Sequence, residues 1–155
     1  KRRHDTTQVI DICAQLRRAR ADIQFGADLI AGFPTETEAM FTDTVNLVEE
    51  AGLAYLHVFP YSPRPGTPAA SMPQTGAATA RARAQELRDA GNRVKADIFA
   101  RMIGRRAWVL TEKDGKGYTE HYAPVRLGTS PGPGNLMPVE ITAVQDLVLT
   151  AELLR

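Results

Sequence analysis

Two hydrophobic periods alternate along the first sixty residues. Apolar residues recur at helical spacing over 6–20 and again over 37–51. Between and after them lie two apolar runs, Phe25 to Phe33 and Leu53 to Phe59. Runs of this kind are typical of strands covered on both faces, as in a parallel sheet. The order helix, strand, helix, strand therefore predicts an α/β unit with parallel strands.

The pattern changes in the second part of the chain. Residues 60–76 contain five prolines and two glycines, which predicts irregular structure. A long helix is predicted over 77–102, ended by Gly104. Short alternating segments follow, with Asp114-Gly115 as a turn signal. Strands are predicted at 107–111, near 118–128, at 137–144 and at 147–153, with a flexible loop at 128–138. Short strands in this number suggest a small, OB-like antiparallel barrel.

Composition excludes several classes of protein. Of the 155 residues, 43% are hydrophobic and 24% are charged, which is typical of a globular protein and excludes disorder throughout. No apolar run is long enough to span a bilayer and no signal peptide is recognisable, so we expect a cytoplasmic protein without a membrane partner. The chain does not begin with Met, so we expect it to be part of a longer protein.

One cysteine excludes an internal disulfide, and it excludes a zinc or iron–sulfur site built from this chain's own thiolates. That residue, Cys13, lies on the apolar stripe of the first helix and is predicted to be core. The three histidines are not at the spacing of metal ligands, so no metal site is predicted.

Charge is segregated along the chain. Residues 22–50 carry seven acids and no base, whereas residues 81–106 carry eight Lys/Arg and three acids. A basic stretch can follow a phosphate backbone, or it can be a solvated helix face. Both interpretations stay open at this point.

The first candidate site lies where the first strand ends, in Asp28-Leu-Ile-Ala-Gly-Phe-Pro-Thr-Glu-Thr37. In α/β folds, ligands bind at the carboxyl ends of such strands, and Gly32 would let one approach the backbone. The alternative is a tight βα turn with a capping box, closed by Thr35 or Glu36. Asp28 is a carboxylate within this apolar run. Because burying it unpaired would be costly, it is expected to have a partner or to lie at the mouth of a cavity.

The second candidate site follows the second strand, in Tyr61-Ser-Pro-Arg-Pro-Gly-Thr-Pro68. Arg64 lies between two prolines that restrict the backbone, so its guanidinium could be held in place to bind a carboxylate or phosphate. The alternative is a rigid loop with an exposed arginine.

Aromatic and basic residues share neighbouring strands of the predicted barrel: Tyr118, His121, Tyr122 and Arg126. Aromatic faces beside cations hold unpaired nucleotides in small barrels. Ordinary cross-strand packing is the alternative.

Segments 1–6, 28–37 and 61–69 carry a family resemblance, and the last two are too specific for a generic α/β turn. They read Lys-Arg-Arg-His-Asp-Thr, Asp-Leu-Ile-Ala-Gly-Phe-Pro-Thr-Glu-Thr and Tyr-Ser-Pro-Arg-Pro-Gly-Thr-Pro-Ala. The chain resembles the C-terminal half of the radical S-adenosylmethionine (radical SAM) methylthiotransferases that modify tRNA. Glu-His-Tyr-Ala-Pro-Val at 120–125 looks most like the branch that acts on threonylcarbamoyladenosine beside the anticodon.

The resemblance implies a domain plan and a set of cofactors. Residues 1–76 would be the later part of a TIM-type radical SAM barrel, 77–104 a connecting basic helix, and 105–155 a TRAM-like, RNA-binding barrel. Members of the family use S-adenosylmethionine and two 4Fe–4S clusters, which are held by cysteines that this chain lacks. We therefore expect none of them to be bound here, no catalytic residue in the chain, and no activity from the chain alone.

The resemblance also implies residue roles. Members of the segment 28–36 would wall the S-adenosylmethionine pocket: Asp28, Ile30, Gly32, Phe33, Pro34 and Glu36. Arg2 and Arg64 match basic residues on the cavity side of the family barrel. With Arg88 of the basic helix and with Tyr118, His121, Tyr122 and Arg126 of the small barrel, they are the residues expected to bind the substrate. Thr35 stands where the family more often has Gly.

The partners expected are tRNA, the N-terminal part of the same enzyme, and further copies of the chain. Self-association would cover the unpaired edges of a half-barrel. Two alternatives remain: a non-catalytic RNA-binding module, and part of a sister enzyme that methylthiolates a ribosomal protein.

Overall fold

The computed structural model describes residues 4–154, and the chain separates into two compact units, one ending at Val94 and the other beginning at Lys95. The first unit contains the predicted helix–strand–helix–strand order. Its elements are α1 (Thr6–Ala19), β1 (Phe25–Ala31), α2 (Glu38–Glu50), β2 (Leu53–Pro60), a short 3-10 turn (Pro68–Ser71) and most of α3 (Ala77–Ala100). Among residues 4–154, no helix is long and apolar enough to cross a membrane.

Strands β1 and β2 are parallel, and in the described part of the chain they pair only with each other. A larger arc of barrel is therefore not seen. One face of this two-stranded sheet packs on the three helices, in a core that includes the buried Cys13, Phe41 and Leu87. The prediction that Cys13 is core is confirmed.

The opposite face of the sheet is open. Ile30 on β1 and Phe59 on β2 are each more than half exposed. The expectation that both faces would be covered is wrong, because all three helices pack on the same face and side chains alternate along a strand. A pair of parallel strands with one open face is unusual, since parallel sheets are otherwise covered on both sides.

The second unit is a closed barrel in the order β3-β4-β5-β7-β6. Its strands are β3 (Arg106–Thr111), β4 (Lys116–Thr119), β5 (Pro124–Leu127), β6 (Leu136–Gln145) and β7 (Val148–Leu153). The predicted strand near 118–128 is two strands, separated by a turn in which Tyr122 has φ +64°. The predicted loop at 128–138 is shorter, because β6 begins at Leu136.

The prediction that the barrel is antiparallel throughout is wrong, since β5 and β7 are parallel. The reason is geometric: strands around a closed ring can alternate in direction only if their number is even. With five strands, at least one neighbouring pair must be parallel. The core of the barrel is filled by alternate side chains such as Val109, Ile141 and Leu149, together with Phe99 from the last turns of α3.

Candidate functional site

The loops that follow β1 and β2 meet at one edge of the sheet. Because the strands are parallel neighbours, their carboxyl ends lie together. The Tyr61 N–H donates to the Ala31 carbonyl (2.8 Å), and the rings of Phe33 and Tyr61 make an edge-to-face contact with centroids 5.3 Å apart. The Tyr61 hydroxyl is buried and has no hydrogen-bond partner among the described residues. The structure thus brings the two sequence-predicted segments into contact.

The open face of the sheet presents polar and apolar residues in register. Asp28 lies beside His57, and Ile30 lies beside Phe59. All four are exposed. Because Asp28 is exposed, its carboxylate does not need the buried partner that its position in an apolar run had suggested. An apolar shelf beside a carboxylate and an imidazole can receive a molecule that combines a ring with polar groups, as a nucleoside does.

The turn after β1 is closed by a hydrogen bond between residues four positions apart. Gly32 has φ +75°, and its N–H donates to the Glu36 carboxylate (2.8 Å). A Cβ at Gly32 would lie 2.6 Å from the Cα of Ala80, so glycine is required here by the close packing of α3. Gly32 and Pro34 are buried, and Thr35 has φ +73°. The assignment of this turn to a cofactor stays a prediction.

Helix α2 is capped by Thr37, whose hydroxyl accepts from the Met40 N–H (3.3 Å). The interpretation that Thr35 or Glu36 closes the helix end is therefore wrong. Glu36 is instead engaged with Gly32 and with an arginine of α3.

That arginine is Arg83, which the sequence analysis did not single out. Its guanidinium donates to the Glu36 carbonyl (3.0 Å) and carboxylate (2.8 Å) and to the Glu38 carboxylate (2.8 Å), and it lies over the Phe41 ring (5.2 Å). The hydrogen bond to Glu38 is the largest cause that raises the pKa of Arg83; desolvation opposes it, and Glu36 adds to the rise. Two signals pointed to this residue: the acid-only segment 22–50 needs a counter-cation, and Arg83 lies three residues after Ala80 on the buried stripe of α3.

The predicted substrate-binding arginines differ in exposure and in their hydrogen bonds. Arg64 is exposed, and its carbonyl accepts from the N–H and hydroxyl of Thr67, which closes a turn around it. Arg88 is half-buried and donates to the Val58 carbonyl (2.8 Å), so its guanidinium holds β2. Arg2 lies outside the described residues.

In the barrel, the structure brings two of the predicted aromatic residues together. The rings of Tyr118 and Tyr122 lie 5.2 Å apart at an interplanar angle of 30°, and Tyr122 is 76% exposed. Arg126 is exposed on β5, directly opposite Lys116 on β4. His121 is half-buried in the same turn as Tyr122.

The sequence analysis missed further exposed apolar residues on this barrel, namely Trp108, Leu110 and Leu136. The signal was present in β3, where alternation places residues 106, 108 and 110 on the face opposite to the core.

The chain matches no protein-family model. It is 44% identical over 146 residues, 94% of its length, to the threonylcarbamoyladenosine tRNA methylthiotransferase MtaB of Rickettsia prowazekii. It is also 43% identical over 74% of its length to the tRNA-2-methylthio-N(6)-dimethylallyladenosine synthase of Ruegeria pomeroyi, and 35% identical over 97% to that of Roseobacter denitrificans. The matches cover 35%, 26% and 36% of these relatives, so the chain spans about a third of their length or less.

Proposed function

The chain belongs to the tRNA methylthiotransferase family, and on that premise we propose that it is the C-terminal part of an enzyme that methylthiolates a threonylcarbamoyladenosine of tRNA. The observation that carries this proposal is the 44% identity over 94% of the chain to a relative of that name. The contact between segments 28–37 and 61–69, which carry the family motifs, supports it further.

Radical chemistry in such an enzyme would be supplied by S-adenosylmethionine and iron–sulfur clusters. This chain does not fit a cluster: its single cysteine, Cys13, is buried in the core, and residues 4–154 hold no group of three or more metal-ligating side chains. The clusters would therefore have to bind the remaining part of the enzyme, and we expect the chain alone to be inactive.

The open face of β1 and β2 fits S-adenosylmethionine better. Asp28 and Ile30 are exposed on this face, Phe33 is exposed in the turn after β1, and all three would contact the cofactor. Gly32, Pro34 and Glu36 are largely buried and would act by holding the turn in place. The exposed Ile30 and Phe59 support a role for the rest of the enzyme in covering this face.

The barrel would bind tRNA through Tyr118, Tyr122 and Arg126. Aromatic rings and an unpaired cation are the groups that small barrels offer to nucleic acid.

A chimaera tests the proposal. Residues 1–155 would replace the matching segment of the Rickettsia relative in a strain lacking its own enzyme, and tRNA nucleosides would be examined by mass spectrometry. We expect 2-methylthio-threonylcarbamoyladenosine from the chimaera and none from the chain alone. Methylthiolation of dimethylallyladenosine instead would refute the assigned substrate. Because a chimaera can fail to fold, tRNA binding by the chain itself is measured in parallel, and no binding at low salt would count against the proposal.

A further inference from the structure

The open face of the two-stranded sheet receives its side chains from β2 as well as from β1. On β2 the even-numbered residues point to the helices, because a Cβ at Gly91 of α3 would lie 2.7 Å from the Leu56 Cδ1, and Val58 is buried in the core. Side chains alternate along a strand, so His57 stands on the open face, where it is exposed. The cofactor role proposed above uses β1 and its turn, and it leaves this histidine without a role.

His57 and Asp28 form the polar centre of the open face. They are partners in the register of the two strands. Among residues 4–154, neither side chain has a hydrogen-bond or ion-pair partner. The next pair towards the carboxyl ends is Ile30 and Phe59, each more than half exposed. A polar pair beside an apolar pair suits a ligand in which a ring carries a polar substituent.

The two polar side chains offer opposite hydrogen-bonding groups. An ionised Asp28 carboxylate only accepts, whereas the imidazole of His57 has at least one N–H to donate, whether it is neutral or cationic. A carboxylate of a ligand would therefore be received by His57 and repelled by Asp28. An anionic substituent is thus favoured over β2 and disfavoured over β1.

We propose that His57 is a specificity-determining residue, whose N–H donates to the carboxylate of the threonylcarbamoyl group on the substrate adenosine. The exposed ring of Phe59, two residues further along β2, packs against the base. This inference rests on the proposed function and deepens it, because it names the side chain that distinguishes one modified adenosine from another.

The chemistry of the two candidate substituents explains the discrimination. A threonylcarbamoyl group carries a carboxylate, whereas a dimethylallyl group is a hydrocarbon without any acceptor. Once the rest of the enzyme covers the open face, as proposed above, a hydrocarbon substituent would leave the His57 N–H without a partner. A site that hydrogen-bonds a substrate group rejects an analogue that lacks the group, because the buried donor is then left unpaired.

S-adenosylmethionine also carries a carboxylate and is the competing source of the same chemistry. The two sources predict different results. A contact to the cofactor supports the turnover of every substrate, whereas a contact to the substituent supports only the substrate that carries it. An experiment with two substrates therefore separates them.

The chimaera described above provides the test. It would be assayed with two anticodon stem-loops that differ only in whether the adenosine carries a threonylcarbamoyl or a dimethylallyl group. His57→Leu keeps an exposed side chain of moderate size but lacks a donor. We expect its KM for the threonylcarbamoyl stem-loop to rise about tenfold to a hundredfold with little change in kcat, as for the loss of one hydrogen bond to a charged group. Its KM for S-adenosylmethionine should not change.

Three further variants serve as controls. His57→Gln retains an N–H donor, so its KM should stay within about threefold of the parent value. Gln15→Leu makes a similar change at an exposed position of α1, away from the open face, and should leave both substrates unaffected. Arg64→Ala removes the exposed cation of the loop after β2 and should weaken both stem-loops alike.

A binding measurement on the chain alone gives a readout without turnover. Because the open face belongs to this chain, we expect the threonylcarbamoyl stem-loop to bind about threefold more tightly than the same stem-loop with unmodified adenosine, as measured by fluorescence anisotropy. His57→Leu should erase that difference. Thermal unfolding of the chain should be the same with and without His57→Leu, since the side chain is exposed.

The outcomes distinguish this inference from the proposed function. If His57→Leu raises the KM for S-adenosylmethionine or impairs both substrates alike, the imidazole serves the cofactor and the inference is overturned. It is also overturned if Arg64→Ala, rather than His57→Leu, erases the difference between the stem-loops, or if the chain alone binds them equally. If the chimaera methylthiolates threonylcarbamoyladenosine and His57→Leu changes nothing, only the further inference fails. If the unsubstituted chimaera acts on dimethylallyladenosine instead, the proposed substrate is wrong and the inference fails with it.

Discussion

Removing the guanidinium of Arg83 should be one of the most damaging single changes in the first unit. The Arg83 side chain is 10% exposed and the Glu36 side chain 13%. Arg83→Ala would leave the Glu36 carboxylate in this poorly hydrated site with only the Gly32 N–H as a partner. Breaking a buried ion pair by removing one partner costs about 3–5 kcal/mol, so we expect a loss of that size in the free energy of unfolding.

Helix α3 offers a matched control. Arg93 also bonds to a glutamate of α2, Glu49, at 3.0 Å, but these side chains are 59% and 47% exposed. Solvent weakens such a pair, so Arg93→Ala should cost no more than about 1 kcal/mol. Urea unfolding followed by far-ultraviolet circular dichroism would give both values.

A double substitution tests the cause. Arg83→Met together with Glu36→Gln removes both buried charges while keeping much of the side-chain volume. The loss in unfolding free energy of this double variant should be smaller, by about 1–3 kcal/mol, than the sum of the losses measured for Arg83→Met and Glu36→Gln alone. If the losses in the free energy of unfolding of the two single variants simply add up in the double variant, the two side chains are not coupled. That result, or a loss below about 1 kcal/mol for Arg83→Ala, would refute the argument that burial makes this ion pair important for stability.

Three further predictions follow from the backbone and the burial of single residues. Gly32→Ala should destabilise the first unit by more than about 2 kcal/mol in the same urea assay, because its Cβ would press on Ala80 at a positive φ. Thr35→Gly should stabilise the chain by about 0.5–1 kcal/mol, since relief of the strain at φ +73° exceeds the added entropy of the unfolded chain; a loss of stability would contradict this. Burial raises the pKa of Tyr55 from 10.0 to about 12, so its contribution to stability is present below pH 10 and is lost as the pH rises towards 12. Ultraviolet titration should show a tyrosine ionisation near pH 12 that the Tyr55→Phe variant lacks.

The elements of the first unit could be predicted from the sequence because their signals are local. The helical spacing in α1 and α2, and the apolar runs of β1 and β2, depend on residues a few positions apart. The motif segments 28–37 and 61–69 were likewise recognisable from consecutive letters. Their meeting at one edge follows from a single inference, that neighbouring strands connected by a helix are parallel.

The exposed aromatic and apolar surface of the barrel was predicted in part. Tyr118 lies on β4 just before a short turn and Tyr122 lies in that turn, so their proximity was accessible from the sequence. Leu136 joins the same face from a strand 26 positions beyond Leu110, through a pairing that no local pattern specifies.

What the sequence by itself determined was therefore the order and type of the elements, the buried position of Cys13 and the motifs of the family. Only the tertiary structure decided that one face of β1 and β2 stays open, that β5 and β7 run parallel, and that Arg83 reaches Glu36 across 47 positions. The physical reason is the range of the forces involved. Propensity and capping act within one or two turns of chain, whereas burial and ion pairing depend on which distant surfaces the complete fold brings into contact.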